Sequence, residues 1–346
     1  MNDHLLVLYR LPGDSRYVRH FSSENSLEQF ADYAAIRGKR GFVFAPFAAD
    51  ADMPVLLFNV DDAETCALPE VERHHFQLQR TRSVDEERAL YAADFERFHG
   101  CLLADDFQKL VLSRSSEWTV EGEVAPEHLF FRACRAYPNA FVALVKTPRH
   151  GTWLMSTPEV LLRTEGRNGY TMALAGTILA TEQPVWTNKN REEQRLVADY
   201  IARTVAPFSE KISIGEPQTV RAANVMHLQT DIHFTVNNKT NISDLLNELH
   251  PTPAVCGLPK VEARQFIMEN EHTPRLYYSG FCGLFDMNSH TALYVSLRCM
   301  QMQDDKIRFY AGGGLLKESR MESEWLETEA KMEAMRKLFE DADHVF

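Results

Sequence analysis

The chain has 346 residues, of which 45% are hydrophobic and 25% charged, a composition that is typical of folded globular proteins and excludes a disordered chain. Its formal net charge of −12 argues against a nucleic-acid-binding protein, because such proteins neutralise phosphates with basic side chains. The net charge also raises a question, since an anionic ligand would have to bind to a protein that is itself negatively charged overall.

Taken in chain order, the pattern first predicts short strands over residues 1 to 60, with a helix near 26–37. Helical spacing follows over 85–103. From there on, short β-like runs recur. The spacing between them predicts further helices near 126–136, 189–206, 243–249, 259–270 and 320–341. The strands come in adjacent pairs, which favours large antiparallel sheets covered by helices, that is, an α/β (α+β) fold.

Two local signals mark the end of the chain. Ser319 is followed three residues later by Glu322, which predicts a capping box at the start of the final helix. The preceding AGGGL segment lacks the spacing and the lysine of a phosphate-binding loop, and it is typical of a tight turn.

The cysteines and the N-terminus predict the cellular setting. Six cysteines show no metal-binding or redox spacing, so we expect reduced, mostly buried thiols in a cytoplasmic protein. The first residues do not form a signal peptide, and no apolar run is long enough to span a membrane. The sequence contains no internal repeat or linker, and we expect one domain over 1–346.

A charged residue falls on the apolar side of the predicted 189–206 helix. The apolar stripe of this helix begins at Leu196 and Val197, and Glu193 precedes them by three to four residues. Residues at this spacing share a helix face, so Glu193 is expected to point inward. A lone glutamate at the edge of a stripe can also be a helix-end residue that reaches solvent, and that alternative stays open.

The final helix repeats the pattern. Met335 lies on its inward face, and stepping back by whole turns places Lys331, Glu327 and Glu324 on that side. These residues could equally form an exposed ladder of i,i+4 pairs. Two acids that point inward from separate helices would suit Mg²⁺, which is held by one or two carboxylates plus substrate oxygens.

Two predicted strands carry charges where apolar residues are expected. Lys109 alternates with Val111 in one strand, and Glu159 alternates with Leu161 in another. Burial lowers the pKa of a lysine and raises that of a carboxyl group, so this pair would suit a lysine base and a carboxylic acid at neutral pH. Lys109 could instead protect a strand edge. Arg298, which we place at the end of the strand YVSLR, would be a rigid carboxylate clamp.

The ordered set of segments resembles the chorismate-utilising enzymes. The segments are KLVLSR, STPEVLLR, MALAGT, KNREEQRLV, NVMHLQTDI, LHPTPAVCGLPK, YYSGFCG, VSLR, FYAGGGLLKES and ESEWLETEAK. The resemblance covers about 95–341, and residues 1–90 look like a shortened variable N-terminal part. It implies one α/β domain in which two mostly antiparallel sheets pack as a sandwich with helices outside.

The resemblance also implies a role for each matching residue. Lys109 falls on the general base and Glu159 on the general acid. The substrate-binding positions implied are Gly176, Thr177, His227, Arg298, Tyr310, Gly312 and Lys331. Glu193 and Glu327 fall on the magnesium ligands, with Glu324 as a nearby acid acting through water. The implied glycines are positions where the backbone approaches the ligand, and His227 is implied to face the substrate ring.

The implied activity is that of an isochorismate synthase of the menaquinone type. A lysine in KLVLSR points to water as the nucleophile. Ala175 stands where aminodeoxychorismate synthases carry a nucleophilic lysine. We therefore expect chorismate as substrate, Mg²⁺ as cofactor, no amidotransferase subunit, and a monomer or weak homodimer. A salicylate synthase and a non-catalytic chorismate-binding homologue remain as alternatives.

The sequence departs from the family pattern at several positions. Gln194 replaces a frequent histidine, Asn190 a frequent aspartate and Ile178 a frequent arginine, and AGGGL replaces AGAGI. None of these changes removes a charged catalytic group, so we expect activity, although Ile178 alters contacts on the path of the substrate.

Overall fold

The structure is a computed structural model that describes residues 5–22, 26–71, 76–286 and 290–340. The expected last residue of the final helix, 341, lies outside these ranges, as do the terminal residues of the predicted 1–346 domain. In the described ranges, no helix is long and apolar enough to cross a membrane. All six cysteines are free, and four of them are buried.

The chain forms twenty strands, from two to twelve residues long, within the described ranges. In chain order they are β1 (Leu5–Arg10), β2 (Arg16–Ser22), β3 (Leu27–Phe30), β4 (Arg40–Ala45), β5 (Val55–Phe58), β6 (Glu64–Ala67), β7 (Leu78–Arg80), β8 (Lys109–Val120), β9 (Phe141–Thr147), β10 (Gly151–Thr157), β11 (Val160–Glu165), β12 (Asn168–Leu179), β13 (Ser209–Ile214), β14 (Gln218–Ala222), β15 (Val225–Val236), β16 (Gly257–Leu258), β17 (Phe281–Asp286), β18 (His290–Val295), β19 (Cys299–Gln303) and β20 (Lys306–Leu315).

These strands form two ten-stranded sheets. The first sheet has the order β16-β8-β20-β19-β10-β9-β1-β2-β6, with β7 paired to β8. The second has the order β13-β15-β12-β11-β18-β17-β4-β5-β3, with β14 paired to β15. Neighbouring strands pair antiparallel in both sheets, for example β8 with β20 and β12 with β15, which confirms the predicted antiparallel architecture.

The helices lie on the outer faces of the sheets. They are α1 (Val84–Leu103), α2 (Pro126–Ala136), α3 (Asn188–Val205), α4 (Ile242–Leu249), α5 (Lys260–Asn270) and α6 (Met321–Arg336), the last continued by a 3-10 turn over Lys337–Phe339. Their bounds agree with the predicted helices to within a few residues. Amphipathic spacing therefore identified these elements correctly.

Apolar side chains join the layers into a sandwich. One core cluster lies between the sheets and includes Val7 of β1, Phe44 of β4 and Met155 of β10. A second packs α3 and α4 onto the second sheet, and a third packs α2 and α6 onto the first. The helix–sheet–sheet–helix order confirms the implied sandwich with helices outside. The assignment of all residues to one domain stays a prediction.

Three local predictions were wrong. Residues 27–30 form β3, which pairs with β5, and only Ala34–Ile36 form a 3-10 turn, so the expected helix near 26–37 is absent. Phe30, Tyr33 and Ile36 are spaced by three, which resembles a helix stripe. Here, pairing with β5 outweighed that local pattern.

The other two wrong predictions are the capping box at the start of the final helix and the tight turn in AGGGL. Arg320 occupies the N-cap of α6 without a side-chain cap, while the hydroxyl of Ser319 accepts a hydrogen bond from the Leu316 amide. Glu322 instead contacts Arg88 of α1, so a tertiary ion pair replaces the cap. The AGGGL segment is the end of β20, paired with β8, and not a turn.

Candidate active site

The candidate site lies where one end of each sheet meets two helices. β8 and β20 of the first sheet contribute Lys109 and Gly312, and β12 and β15 of the second contribute Thr177 and His227. α3 packs on β12 and α6 on β20, so each helix brings its charged inward face to the same region. The sequence placed charges on two predicted helices and three predicted strands, and the fold brings these charged residues together.

Lys109 and Glu193 form a buried ion pair at the centre of the site. The Lys109 side chain is fully buried, and its Nζ lies 3.1 Å from Oε1 of Glu193. Although burial favours the neutral carboxyl group, the ammonium groups of Lys109 and Lys189 lower the pKa of Glu193. The inward direction predicted for Glu193 is therefore correct. The expectation that Lys109 is neutral stays a prediction.

The glycine at position 314 makes this pair possible. A Cβ at Gly314 would lie 1.9 Å from Oε1 of Glu193 and 2.9 Å from Cε of Lys109. Real Cβ atoms cannot approach other atoms so closely, so any other residue would displace the pair. AGGGL is thus a strand whose missing side chains leave room for the charged groups.

Glu159 is the most strongly perturbed acid that faces the pocket. It follows β10, and its backbone amide donates to the Thr157 hydroxyl at 3.2 Å. Its side chain is buried, and this desolvation raises its pKa to about 8, against the opposing charges of Lys109 and Lys331. At neutral pH the group is mostly protonated, which is the state required of a proton donor.

Three glutamates of the site are each held by a different lysine. The pairs are Lys109 with Glu193 at 3.1 Å, Lys189 with Glu324 at 2.5 Å, and Lys331 with Glu327 at 2.6 Å. Burial raises the pKa of Glu324 to about 7, although Lys189 opposes this shift. Burial also disfavours the charged form of Lys189. The negative charges of Glu324 and Glu193 outweigh this effect and raise the pKa of Lys189.

The donor chemistry of these glutamates fits a hard cation such as Mg²⁺. Carbon atoms added at Gly313 and Gly314 would meet oxygens of Glu324, Glu327 and Glu193, so the three carboxylates border one short stretch of β20. Oε2 of Glu324 is buried without a hydrogen-bond partner, which leaves a ligand position free. Within the described ranges, however, no three His, Cys, Asp or Glu side chains are grouped as a metal site, and each of the three carboxylates is paired with a lysine. A bound cation would have to displace these lysines.

Arg298 and His227 form a second polar pair. The Arg298 Nη2 donates to Nε2 of His227 at 2.8 Å, so this imidazole nitrogen accepts. The other nitrogen, Nδ1, lies 3.2 Å from the Thr177 hydroxyl and 3.3 Å from the Gly176 carbonyl. Burial, assisted by the charge of Arg298, lowers the pKa of His227 well below its usual value, so the ring is neutral and orients the guanidinium.

The placement predicted for Arg298 was wrong in one respect. Strand β18 ends at Val295, and Arg298 follows in a loop with a φ of 44°. Left-handed backbone at a non-glycine residue is uncommon and is held here by surrounding contacts, including the hydrogen bond from the Ser156 amide to the Arg298 carbonyl. The guanidinium is nevertheless buried and lines the pocket.

Gly176 is required by the neighbouring helix. Its φ is +67°, and a Cβ here would lie 2.9 Å from the carbonyl oxygen of Asn190 in α3. The resemblance implied a close approach to ligand at this position. The structure shows a close approach to α3 and also places Gly176 in the pocket lining, so the approach to ligand stays a prediction. Asn190 also closes the capping box with Thr187, so the aspartate found in relatives is replaced by another good capping residue.

Gln194 attaches α3 to β12. Its Oε1 accepts from the Ala175 amide at 2.8 Å, and its Nε2 donates to the Ala173 carbonyl and to the Thr230 hydroxyl, each at 3.0 Å. Because Glu193 is the adjacent residue, these bonds also fix the position of its carboxylate. Gln194, which stands where the resemblance leads us to expect histidine, is therefore a polar side chain that connects α3 to the second sheet.

The remaining predicted residues complete the walls. Nζ of Lys331 donates to the Gly312 carbonyl at 2.8 Å as well as to Glu327. Tyr310 is buried and stacks between Tyr278 and Trp153, with centroid distances of 5.5 Å and 5.4 Å. Its hydroxyl points towards Oε1 of Gln301 at 3.5 Å, so it presents mainly its ring to the pocket.

Two cavities share the predicted residues. A pocket of about 60 Å³ is lined by Glu159, Gly176, Thr177, Glu193, His227, Arg298, Tyr310, Gly312 and Lys331, among others. Glu324 and Glu327 line a neighbouring cavity of about 490 Å³, together with Thr177 and Ile178. The pocket is smaller than ordinary ligand sites, so a substrate must move part of its wall on binding.

Sequence reasoning missed three residues of the site. Lys189 lies one helical turn before Glu193 on the same face of α3, a spacing that could have indicated it. Tyr278 lines the pocket, and the connecting role of Gln194 depends on contacts between elements distant in sequence. Such contacts have no local signal.

A comparison with family models identifies the class. The family model described as "Chorismate binding enzyme" matches residues 58–340. The chain belongs to this family of chorismate-binding enzymes. The match begins within the stretch that the sequence assigned to a variable N-terminal part.

Curated relatives give the similarity in more detail. The chain is 30% identical over 245 residues to the isochorismate synthase MenF of Escherichia coli (strain K12), which covers 68% of this chain and 56% of MenF. It is 29% identical over 244 residues to the isochorismate synthase EntC of the same organism, which covers 67% of this chain and 62% of EntC. The aligned part therefore spans between a half and two-thirds of these relatives.

Solved structures share the fold. The menaquinone-specific isochorismate synthase MenF from Escherichia coli superimposes with a TM-score of 0.81 at 20% identity, covering 97% of this chain and 89% of that one. Anthranilate synthase component I from Streptococcus pneumoniae gives a TM-score of 0.68 at 14% identity, covering 97% and 92%. At these identities, the likeness concerns the fold alone.

Proposed function

We propose that this protein is an isochorismate synthase that converts chorismate to isochorismate by adding water at C2 and releasing the C4 hydroxyl. The observation that carries the proposal is a buried lysine and a buried, protonated glutamate lining or bordering one pocket in a member of the chorismate-binding family. The relatives named above carry the same activity in their names.

The proton steps follow from the two residues. Because Lys109 forms an ion pair with Glu193 in the structure, it must first lose a proton. In its neutral form it then removes a proton from the attacking water as the new C2–O bond forms. The ring double bonds shift, the C4–O bond breaks, and Glu159 supplies a proton to the departing oxygen. One proton is taken up and one is released, so the sum is an isomerisation. A carboxyl group with a pKa near 8 is well matched to this donation at neutral pH.

Other residues would hold the substrate. Arg298, oriented by His227, presents a buried guanidinium that suits a carboxylate. Lys331 is a second cation at the pocket wall, and the rings of Tyr310 and Tyr278 provide an apolar surface. Glu193, Glu327 and Glu324 would hold Mg²⁺, which supplies a positive charge for the ring carboxylate when bound.

The residues at positions 109 and 175 favour water over an amine as the nucleophile. Lys109 suits the activation of water, and Ala175 provides no amine for attack on the ring. We therefore propose a synthase that uses water and acts without an amidotransferase subunit, feeding menaquinone synthesis. Its action as a monomer or weak homodimer in the cytoplasm is part of the same proposal.

Incubation with chorismate and Mg²⁺, followed by product analysis, tests the proposal. Isochorismate alone is the expected product, and Lys109→Ala should reduce turnover by several orders of magnitude while leaving the folded state intact. Salicylate with pyruvate would favour a salicylate synthase. Binding of chorismate without any product would favour a non-catalytic homologue. Full activity of Lys109→Ala would contradict the role given to that lysine.

A further inference from the structure

A cavity beside the candidate site is lined by basic side chains and by no acidic ones among the described residues. This arginine cavity, of about 290 Å³, is lined at one side by the end of α2 and the following loop (136–140), and elsewhere by Ser156, Pro158, Arg221, Arg298 and Ala334. Its charged lining residues are Arg221 and Arg298, and none of the described residues that line it is an aspartate or glutamate. It is thus positive in a chain whose net charge is −12.

The arginine cavity adjoins the pocket through a thin wall. Pro158 and Arg298 line both spaces. Nη2 of Arg298 is held by His227, while Nη1 is buried and has no hydrogen-bond partner among the described residues. A buried, unpartnered guanidinium nitrogen is costly, and an anion arriving beside it would supply the missing acceptor.

Arg221 provides a second cation at an exposed position. It lies in β14, and its Nε donates to the Ala223 carbonyl at 3.2 Å. No carboxylate of the described residues pairs with it in an ion pair, so its charge is available to a passing anion. The two arginines therefore mark an outer and an inner end of the cavity.

The cavity on the other side of the site has the opposite character. Its charged lining residues are Glu318, Glu324 and Glu327 against Lys189 and Arg320. Along α6, Glu327 faces this acidic cavity, Lys331 faces the pocket and Ala334 faces the arginine cavity. These positions are separated by four and three residues and share one helix face, over a length of about 10 Å. Acidic and basic side chains are nearly balanced in the acidic cavity, so it attracts a dicarboxylate less than the arginine cavity does.

We propose that the dicarboxylate substrate reaches the site through the arginine cavity, guided by Arg221 and received by Nη1 of Arg298. This inference rests on the proposed function, because it takes the two carboxylates of chorismate as the ligand. The pocket is too small to hold such a molecule without a movement of its wall, and Arg298 belongs to the wall that the pocket shares with the arginine cavity. Arg221 is a positioning residue that acts before the substrate is bound.

The test measures how fast chorismate binds. Trp153 stacks on Tyr310 at the pocket, so its fluorescence can report binding in a stopped-flow experiment, in a Lys109→Ala background that prevents turnover. At low ionic strength, Arg221→Glu should lower the association rate constant about three- to tenfold, and added salt should reduce this difference. In the otherwise unchanged enzyme, kcat at saturating chorismate should stay the same.

Two control variants and one gain-of-function variant make the result decisive. Arg203→Glu changes the net charge equally on exposed α3 surface and should leave the rate unchanged. Arg320→Glu, at the acidic cavity, should also have no effect. Asn139→Lys adds a cation at the exposed rim of the arginine cavity and should raise the rate about twofold, a result that no folding defect can imitate.

The outcomes separate this proposal from the proposed function. If Arg221→Glu behaves like Arg203→Glu, or if only Arg320→Glu slows binding, the route through the arginine cavity is overturned even when the wild-type protein makes isochorismate. If the association rate depends on Arg221 and Asn139→Lys but no product forms, the route stands and the proposed activity fails.

Discussion

At the scale of single residues, the proposed chemistry depends on two glutamates whose different surroundings give them different pKa values. Burial raises the pKa of Glu159 to about 8, while the surrounding ammonium groups lower that of Glu193. Two glutamates that line the same pocket thus differ in protonation at neutral pH. The sequence predicted the burial of both from strand and helix spacing, but not the lysine partners that distinguish them.

The raised pKa of Glu159 predicts a stability cost. Because its pKa in the folded protein lies above the usual 4.5, its favourable contribution is fully present below pH 4.5 and is lost as the pH rises through about 8. Glu159→Gln removes this cost. We expect the variant to unfold at a higher temperature than wild type above pH 6. The gain in the free energy of unfolding should be about 3 kcal/mol at pH 7 and approach about 5 kcal/mol above pH 8, since each pKa unit is worth about 1.4 kcal/mol.

The control for this prediction is Glu192→Gln. The hydrogen bond and charge of Arg195 lower the pKa of Glu192, so that substitution should lose stability at neutral pH and lose nothing in acid. Thermal unfolding of the three proteins between pH 4 and pH 9 would decide. A melting-temperature difference between Glu159→Gln and wild type that does not grow with pH would contradict the assignment.

At the scale of elements, β20 shows where local sequence is misleading. Three consecutive glycines are typical of a turn, yet the segment pairs with β8 along its length. The reason lies in other elements, since carboxylates from α3 and α6 occupy the space that side chains would fill. The helices α1 to α6 were predictable from their own spacing. By contrast, β3 and the N-terminal cap of α6 were not, because pairing with β5 and contact of Glu322 with Arg88 override the local signals.

Gly314→Ala tests this account of β20. The added methyl group would lie 1.9 Å from Oε1 of Glu193, so we expect turnover to fall at least a hundredfold while circular dichroism stays native. The matched control is Gly100→Ala in α1, where a Cβ meets nothing within 4 Å. That variant should keep its activity and gain about 0.5–1 kcal/mol of stability. Normal turnover of Gly314→Ala would show that the strand does not constrain Glu193.

The contact between α3 and β12 predicts a second effect. Gln194→Leu removes three hydrogen bonds and leaves the Ala175 amide buried without its partner, so we expect a loss of about 1–3 kcal/mol in stability and weaker Mg²⁺ binding by the adjacent Glu193. Gln194→His restores the family residue and should recover part of both. Calorimetric titration with Mg²⁺ and thermal unfolding measure the two effects. Unchanged Mg²⁺ affinity in Gln194→Leu would show that the hydrogen bonds of Gln194 do not support Mg²⁺ binding by Glu193.

At the scale of the whole molecule, the net charge of −12 and the proposed dicarboxylate substrate are compatible because charge is distributed unevenly. Acids of the site are paired with lysines, Glu159 is kept neutral, and the arginine cavity carries two unpaired cations. Composition argued against a nucleic-acid binder, but it contained no information on small anions. That property depends on which residues the two sheets and two helices bring together.

The central claim is that this site adds water to chorismate and expels the C4 hydroxyl. The most direct measurement is mass spectrometry of the product formed from chorismate and Mg²⁺ in heavy-oxygen water. We predict isochorismate carrying one solvent oxygen, at C2, and no such product with Glu159→Gln. Isochorismate without solvent oxygen, or no isochorismate from the wild-type protein, would contradict the account.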